Sequence, residues 1–115
     1  MRTIIAGGRN YHLSQADYAF LDELVDSITE VVCGGAQGAD ECGRNWAILN
    51  SIPVKMFPAN WTDHGRAAGP IRNREMAAYG DRLIAFWDGQ SRGTKNMIEE
   101  AKKQGLEVIV RKPGE

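Results

Sequence analysis

Five short apolar runs punctuate this chain, and two of them stop directly at a glycine pair. Thr3-Ile4-Ile5-Ala6 ends at Gly7-Gly8, and Val31-Val32-Cys33 ends at Gly34-Gly35. Val54, Met56 and Phe57 form a third run, Leu83-Ile84-Ala85-Phe86-Trp87 a fourth and Val108-Ile109-Val110 a fifth. The first of these, Thr3–Ala6, suits a strand buried on both faces, as in a parallel sheet. Between them lie stretches with helical spacing. Ser14 and Asp17 form a capping pattern, flanked by Leu13 and Tyr18 at staple positions, ahead of a stripe at Phe20, Leu21, Leu24, Val25 and Ile28. A second helix is expected over Ala39–Leu49, with Ala39, Cys42, Gly43, Trp46 and Ala47 on its buried face. A long loop over Pro58–Ala68 precedes a third helix that starts at Gly69-Pro70 and stops at Gly80. The fourth helix is expected over Thr94–Gln104, with a Glu99/Lys103 pair and Gly105 as its stop.

The order βαβαβαβαβ predicts an α/β fold: one Rossmann-like three-layer domain over residues 1–115, with helices on both faces of a five-stranded parallel sheet. Right-handed crossovers restrict the topology, and the strand order 3-2-1-4-5 is expected. Ligands of such sheets bind beyond the carboxyl ends of the strands where the order reverses, here between strands one and four. A length of 115 residues, 43% apolar and 25% charged, fits one soluble domain with one core and argues against disorder. The net charge of −1 provides no global basic field for nucleic acid or anionic membrane. The opening MRTIIAGG reads as a strand, not a signal peptide, and no apolar run is long enough to span a bilayer, so a cytoplasmic location is expected. Cys33 and Cys42 lack metal-type spacing and are expected to be reduced and largely buried. With only His12 and His64 as histidines, no metal site is expected.

Four segments follow the strands and should converge at one sheet edge. In the first, Gly7 and Gly8 let backbone approach a ligand, while Arg9 and Asn10 offer side-chain donors. In the second, Gly34, Gly35, Ala36 and Gly38 keep backbone N–H groups open at a helix start, a place that favours anions. Asp40 beside them supports the helix N-terminus, holds a ribose hydroxyl or pairs with an arginine. In the third, Arg72 and Asn73 are expected in the first helical turn, where a cation is unfavourable unless an acidic residue or a bound anion compensates. Arg74 is expected to face solvent or a salt bridge. In the fourth, Asp88, Gly89, Ser91, Gly93 and Thr94 offer donors at another helix start. Each segment also has a purely structural reading, as a tight or capped turn. Trp61 and His64 belong to the long loop, where Trp61 either stacks on a base or packs the loop down. Met76, Met97 and Trp46 read as core.

IIAGGRNY, VVCGGAQGAD, GPIRNREM and FWDGQSRGTKNMI occur in this order and span nearly the whole chain. Together they resemble the SLOG superfamily, most closely its YspA-like, cpYpsA-related branch of small bacterial and phage proteins. That resemblance implies a Rossmann-like fold and binding of nucleotides or nucleotide-derived ligands, in a sensing role. More distant SLOG relatives include the cytokinin-activating phosphoribohydrolases and DNA-processing protein A. In the phosphoribohydrolases a helical arginine and a glycine-rich loop are followed by glutamate. Arg72 and Gly93-Thr94 resemble parts of that pattern, but Asn96 and Met97 stand where the glutamates would be, and Glu99 comes later.

Three functions follow as expectations. The first is a binding or sensing domain for a phosphate-bearing nucleotide ligand, ADP-ribose- or NAD-like ligands included. The second is a hydrolase of a nucleotide's N-glycosidic or phosphate bond, with Asp40, Arg72, Asp88 and Glu99 as catalytic candidates. The third is an interaction module without ligand. The partner expected is thus a small nucleotide, with nucleic acid disfavoured. No cofactor is identified beyond that nucleotide-derived ligand. A domain this small can also form a homodimer through its helices.

Overall fold

The structure, a computed structural model, describes residues 1–114. Its elements run β1 (Arg2–Gly7), α1 (Gln15–Leu24), β2 (Glu30–Cys33), α2 (Ala39–Leu49), β3 (Val54–Met56), α3 (Trp61–His64), α4 (Ala68–Tyr79), β4 (Arg82–Phe86), α5 (Arg92–Lys103) and β5 (Glu107–Arg111). All strand pairings are parallel, and the sheet order is β3-β2-β1-β4-β5, as the sequence predicts. The result is a three-layer, Rossmann-like α/β fold.

Strand alternation divides the core between the two faces of the sheet. Ile5, Val31, Ile84 and Phe86 point to one side, where they meet Leu21 of α1 and Trp46 and Ala47 of α2. Ile4, Ala6, Val32, Leu83 and Ala85 point to the other, where they meet Met76 and Ala77 of α4 and Met97, Ile98 and Ala101 of α5. Ile4 and Ile5 are both fully buried, so β1 is covered on both sides. Each such side chain contributes about 1.5–3 kcal/mol of burial free energy. This two-sided burial is why the strands read as continuous apolar runs rather than as alternation.

The capping box at the start of α1 forms as expected: Asp17 N–H donates to Ser14 Oγ, and Ser14 N–H donates to the Asp17 carboxylate. Asp17 is itself buried and also pairs with Arg111 of β5 at 2.8 Å. Both cysteines are free; Cys33 is buried and Cys42 half-buried. No helix among the described residues is long and apolar enough to cross a membrane.

Four local expectations change. The segment after β3 is not an extended loop: Asn60 caps the short helix α3 by accepting from Asp63 N–H, and a 3-10 turn over Gly65–Ala67 runs straight into α4. Consequently α4 begins at Ala68, and Pro70 is its third residue, not its first. Proline is tolerated there because the first four N–H groups of a helix have no internal acceptor. Helix α5 likewise starts earlier, at Arg92, with Ser91 as its cap accepting from Thr94 N–H. Lys103 pairs with the buried Glu100 at 3.6 Å, in place of the expected Glu99.

Candidate functional site

The β1 and β4 strands lie side by side, and the chain leaves them in opposite directions across the sheet. A cavity of about 450 Å³ sits beyond their carboxyl ends. Its walls come from the exit of β1 (Ala6, Gly7, Arg9), the start of α2 (Ala36, Asp40), helix α4 (Gly69, Pro70, Arg72, Asn73, Met76) and the start of α5 (Ser91 to Thr94, Asn96, Met97). Trp61 of α3 lies at its rim and is 61% exposed. All four predicted segments therefore contribute to one cavity.

The predicted residues separate by role. Asp40 is buried, and its two carboxylate oxygens accept from Gly7 N–H at 3.1 Å and Gly34 N–H at 3.3 Å. It thus ties the ends of β1 and β2 together from the first turn of α2. Burial raises its pKa above the ordinary carboxylate value, against the opposing pull of the Arg72 charge and of the Gly34, Gly7 and Ala36 N–H groups.

Arg72 is the fifth residue of α4, just past the first turn in which it is expected, because the helix starts at Ala68. Its guanidinium donates to carbonyl oxygens, and its charge also acts on the nearby buried Asp40. Nη1 donates to Gly34 O at 2.7 Å and to Phe57 O at 3.4 Å, and Nε donates to Asn73 Oδ1 at 3.0 Å. Asn73 in turn donates from Nδ2 to Asn96 Oδ1 at 2.9 Å and to Gly93 O at 3.3 Å. One polar chain therefore links the end of β2, helix α4 and the first turns of α5. Arg74 points away, 68% exposed, and sits 3.7 Å from Glu100.

At the start of α5, Ser91 Oγ and Thr94 Oγ1 are 3.0 Å apart, and Thr94 is buried. Arg92 and Gly93 precede the first helical hydrogen bonds, so their N–H groups have no acceptor within the helix. Arg9 and Arg92 are exposed and line the cavity, and neither guanidinium is paired among the described residues.

Several predicted residues lie elsewhere. Gly34 and Gly35 line an adjoining cavity of about 530 Å³. Asn10 and Gly38 face a third recess, beside Cys42 and Tyr18. Asp88 accepts from Gln90 and Ser91 N–H groups, which hold its pKa below the ordinary value, and it lines a different recess with His12 and Asp17. Gly8 and Gly89 border none of these four spaces. Gly8 O instead accepts from Tyr11 and Ala39 N–H, closing the turn after β1. The cavity also uses Arg92 and Asn96, which were not singled out as ligand contacts. Their spacing of one helical turn was the available signal, since it places both on one face of α5. Among the described residues no group of three or more His, Cys, Asp or Glu side chains could hold a metal ion.

A parallel sheet of this order, with a donor-lined cavity where the order reverses, defines a Rossmann-like α/β protein. The chain belongs to the YspA, cpYpsA-related SLOG family, whose model matches residues 1–64, from β1 through α3. It is also 42% identical over 86 residues to the Gene 61 protein of Mycobacterium phage D29, an alignment covering 69% of this chain and 68% of that protein. No solved structure matches the chain.

Proposed function

We propose that this protein binds a phosphate-bearing nucleotide or nucleotide-derived ligand in the cavity beyond β1 and β4. The observation that carries the reading is the convergence of Arg9, Arg92 and the open N–H groups at the start of α5 on one cavity rimmed by an exposed tryptophan. Phosphate is favoured at such a helix start, where N–H groups and the helix dipole act together. Arg9 and Arg92 add charge without having to break an existing ion pair. Trp61 offers an aromatic face for a base. Membership of a SLOG family supports a nucleotide-related role.

Binding is favoured over turnover by the state of the carboxylates. Asp40 is the only one among the residues lining the cavity, and both its oxygens already accept backbone N–H groups. A general acid or base must be within reach of the proton it transfers and free to transfer it.

Titration calorimetry with AMP, ADP and ATP tests the reading. Binding is expected to strengthen with phosphate number. Arg9→Ala and Arg92→Ala should each weaken it by about tenfold, the equivalent of ~1.4 kcal/mol. Absence of heat with every nucleotide, or unchanged affinity in both variants, overturns it.

A further inference from the structure

The two edges of the sheet differ. Strand β3 is an edge of three residues, with Lys55 at its centre, Pro53 just before it and Pro58 shortly after. Short length, lysine and proline each discourage pairing with another chain. Strand β5 is an edge of five residues, with no proline and with Val108, Ile109 and Val110 in series. Val110 is 36% exposed. Trp87 N–H donates to Arg111 O, so the backbone groups of Arg111 face β4. Alternation along the strand turns those of Ile109 and Glu107 the same way and those of Val108 and Val110 outward. Nothing among the described residues hydrogen-bonds to these outward groups.

The residue order along β5 is also self-complementary. Glu107-Val108-Ile109-Val110-Arg111 carries an acid at one end, a base at the other and β-branched residues between. An antiparallel copy related by a two-fold axis at Ile109 sets Glu107 opposite Arg111 and Val108 opposite Val110, each pair occurring twice. The outward groups of Val108 and Val110 then face one another and exchange both N–H···O bonds in each pair. Ile109 with its own copy, and Glu107 with Arg111, fall at the non-hydrogen-bonded positions, where side chains come closer. Moving the axis to Val108 or Val110 keeps outward groups facing but separates Glu107 from Arg111. Both charges are available for this pairing. Glu107 is exposed and has no ion pair among the described residues. Arg111 donates from Nε to Asp17 at 2.8 Å and lies over the Phe20 ring, while its Nη groups make no hydrogen bond among the described residues.

We infer that β5 is a self-association edge, through which two copies of this chain pair antiparallel over Glu107–Arg111 and join their five-stranded sheets into one. The occupant is a second copy, not a foreign strand, because the charges of β5 complement its own reversed order. The dimer is formed by the sheet edge and not by the helices. One strand pair buries less than the ~1,600 Å² of a standard interface, so the association is reversible and weak. The contact is independent of what the cavity beyond β1 and β4 holds.

Sedimentation velocity on the full chain, across micromolar concentrations, should show a monomer–dimer equilibrium. Val110→Pro removes an outward N–H that β4 does not use, a change that edge strands tolerate. It should raise the dimer dissociation constant by about tenfold or more, with the circular dichroism spectrum unchanged. Glu107→Lys, which opposes like charges twice, should weaken the dimer as well. Should Val110→Pro fail to fold, Ile109→Cys reads the register directly. In a Cys42→Ser background it should give a disulfide-linked dimer under mild oxidation, whereas Val108→Cys, displaced from its own copy, should not. A chain that stays monomeric throughout, a dimer that Val110→Pro and Glu107→Lys leave unchanged, or equal cross-linking of the two cysteine variants overturns the assignment.

Discussion

The guanidinium of Arg72 lies directly against the backbone of Gly34, and its Nη1 donates to the Gly34 carbonyl at 2.7 Å. A Cβ at position 34 would overlap Nη1 and Cζ of that arginine. Glycine here leaves room for a side chain arriving from α4, and the arginine locks the end of β2 to that helix. The same contact separates the floor of the site from its free cations.

Because the obstructing atoms belong to the far end of a flexible side chain, Gly34→Ala should leave the fold intact and displace the guanidinium. The loss should resemble that of Arg72→Ala, about 1.5–3 kcal/mol for hydrogen bonds made by a charged group. The double variant should then cost little more than either single one, since both remove one interaction. Urea unfolding of the four proteins measures this; additive losses would contradict it.

Gly38 presents a stricter requirement. Its φ is +77°, and a Cβ there would meet the carbonyl oxygens of Gly8 and Arg9, which are backbone and cannot swing aside. Gly38→Ala should therefore destabilise by more than the ~1–2 kcal/mol of a left-handed residue alone. The thermal midpoint should fall further than for Gly93→Ala, where nothing lies within 4 Å of a new Cβ. Equal midpoints would show that the β1 exit yields.

Asp40 should make stability depend on pH. Its folded-state pKa is raised by burial, so between the unfolded and folded values the native protein binds a proton that the unfolded chain releases. The stabilisation is fully present below the unfolded value of about 3.9 and is lost as pH rises through the higher folded value. Denaturant midpoints of the wild type should decline over that interval relative to those of Asp40→Asn. Parallel pH profiles of the two proteins would contradict the assignment.

The three central strands were legible in the sequence because they are buried on both faces, whereas the edge strands β3 and β5 are only partly covered. Ile4-Ile5 and Leu83-Ile84-Ala85 leave no polar alternation to confuse them with surface strands. The handedness of crossovers then left few topologies. The boundaries around the site were less legible. Helix α3 is only four residues long, too short for a periodic signal, and its trace is the Asn60 cap with Asp63 three residues on. Pro70 suggested a first helical position, but the preceding 3-10 turn let the helix start earlier. The division of labour within the site depends on contacts distant in sequence. Asp40 reaches Gly7 across 33 positions and Arg72 reaches Gly34 across 38, so local pattern could mark these residues as special without showing that the backbone occupies them.

The central claim is the place of binding, and backbone amide shifts in a ¹H–¹⁵N correlation spectrum, recorded as ADP is added, test it most directly. The largest changes should fall on Gly7, Arg92, Gly93 and Thr94, together with the Trp61 indole N–H. Changes confined to Asn10, His12 and Asp88, or no changes at all, would contradict it.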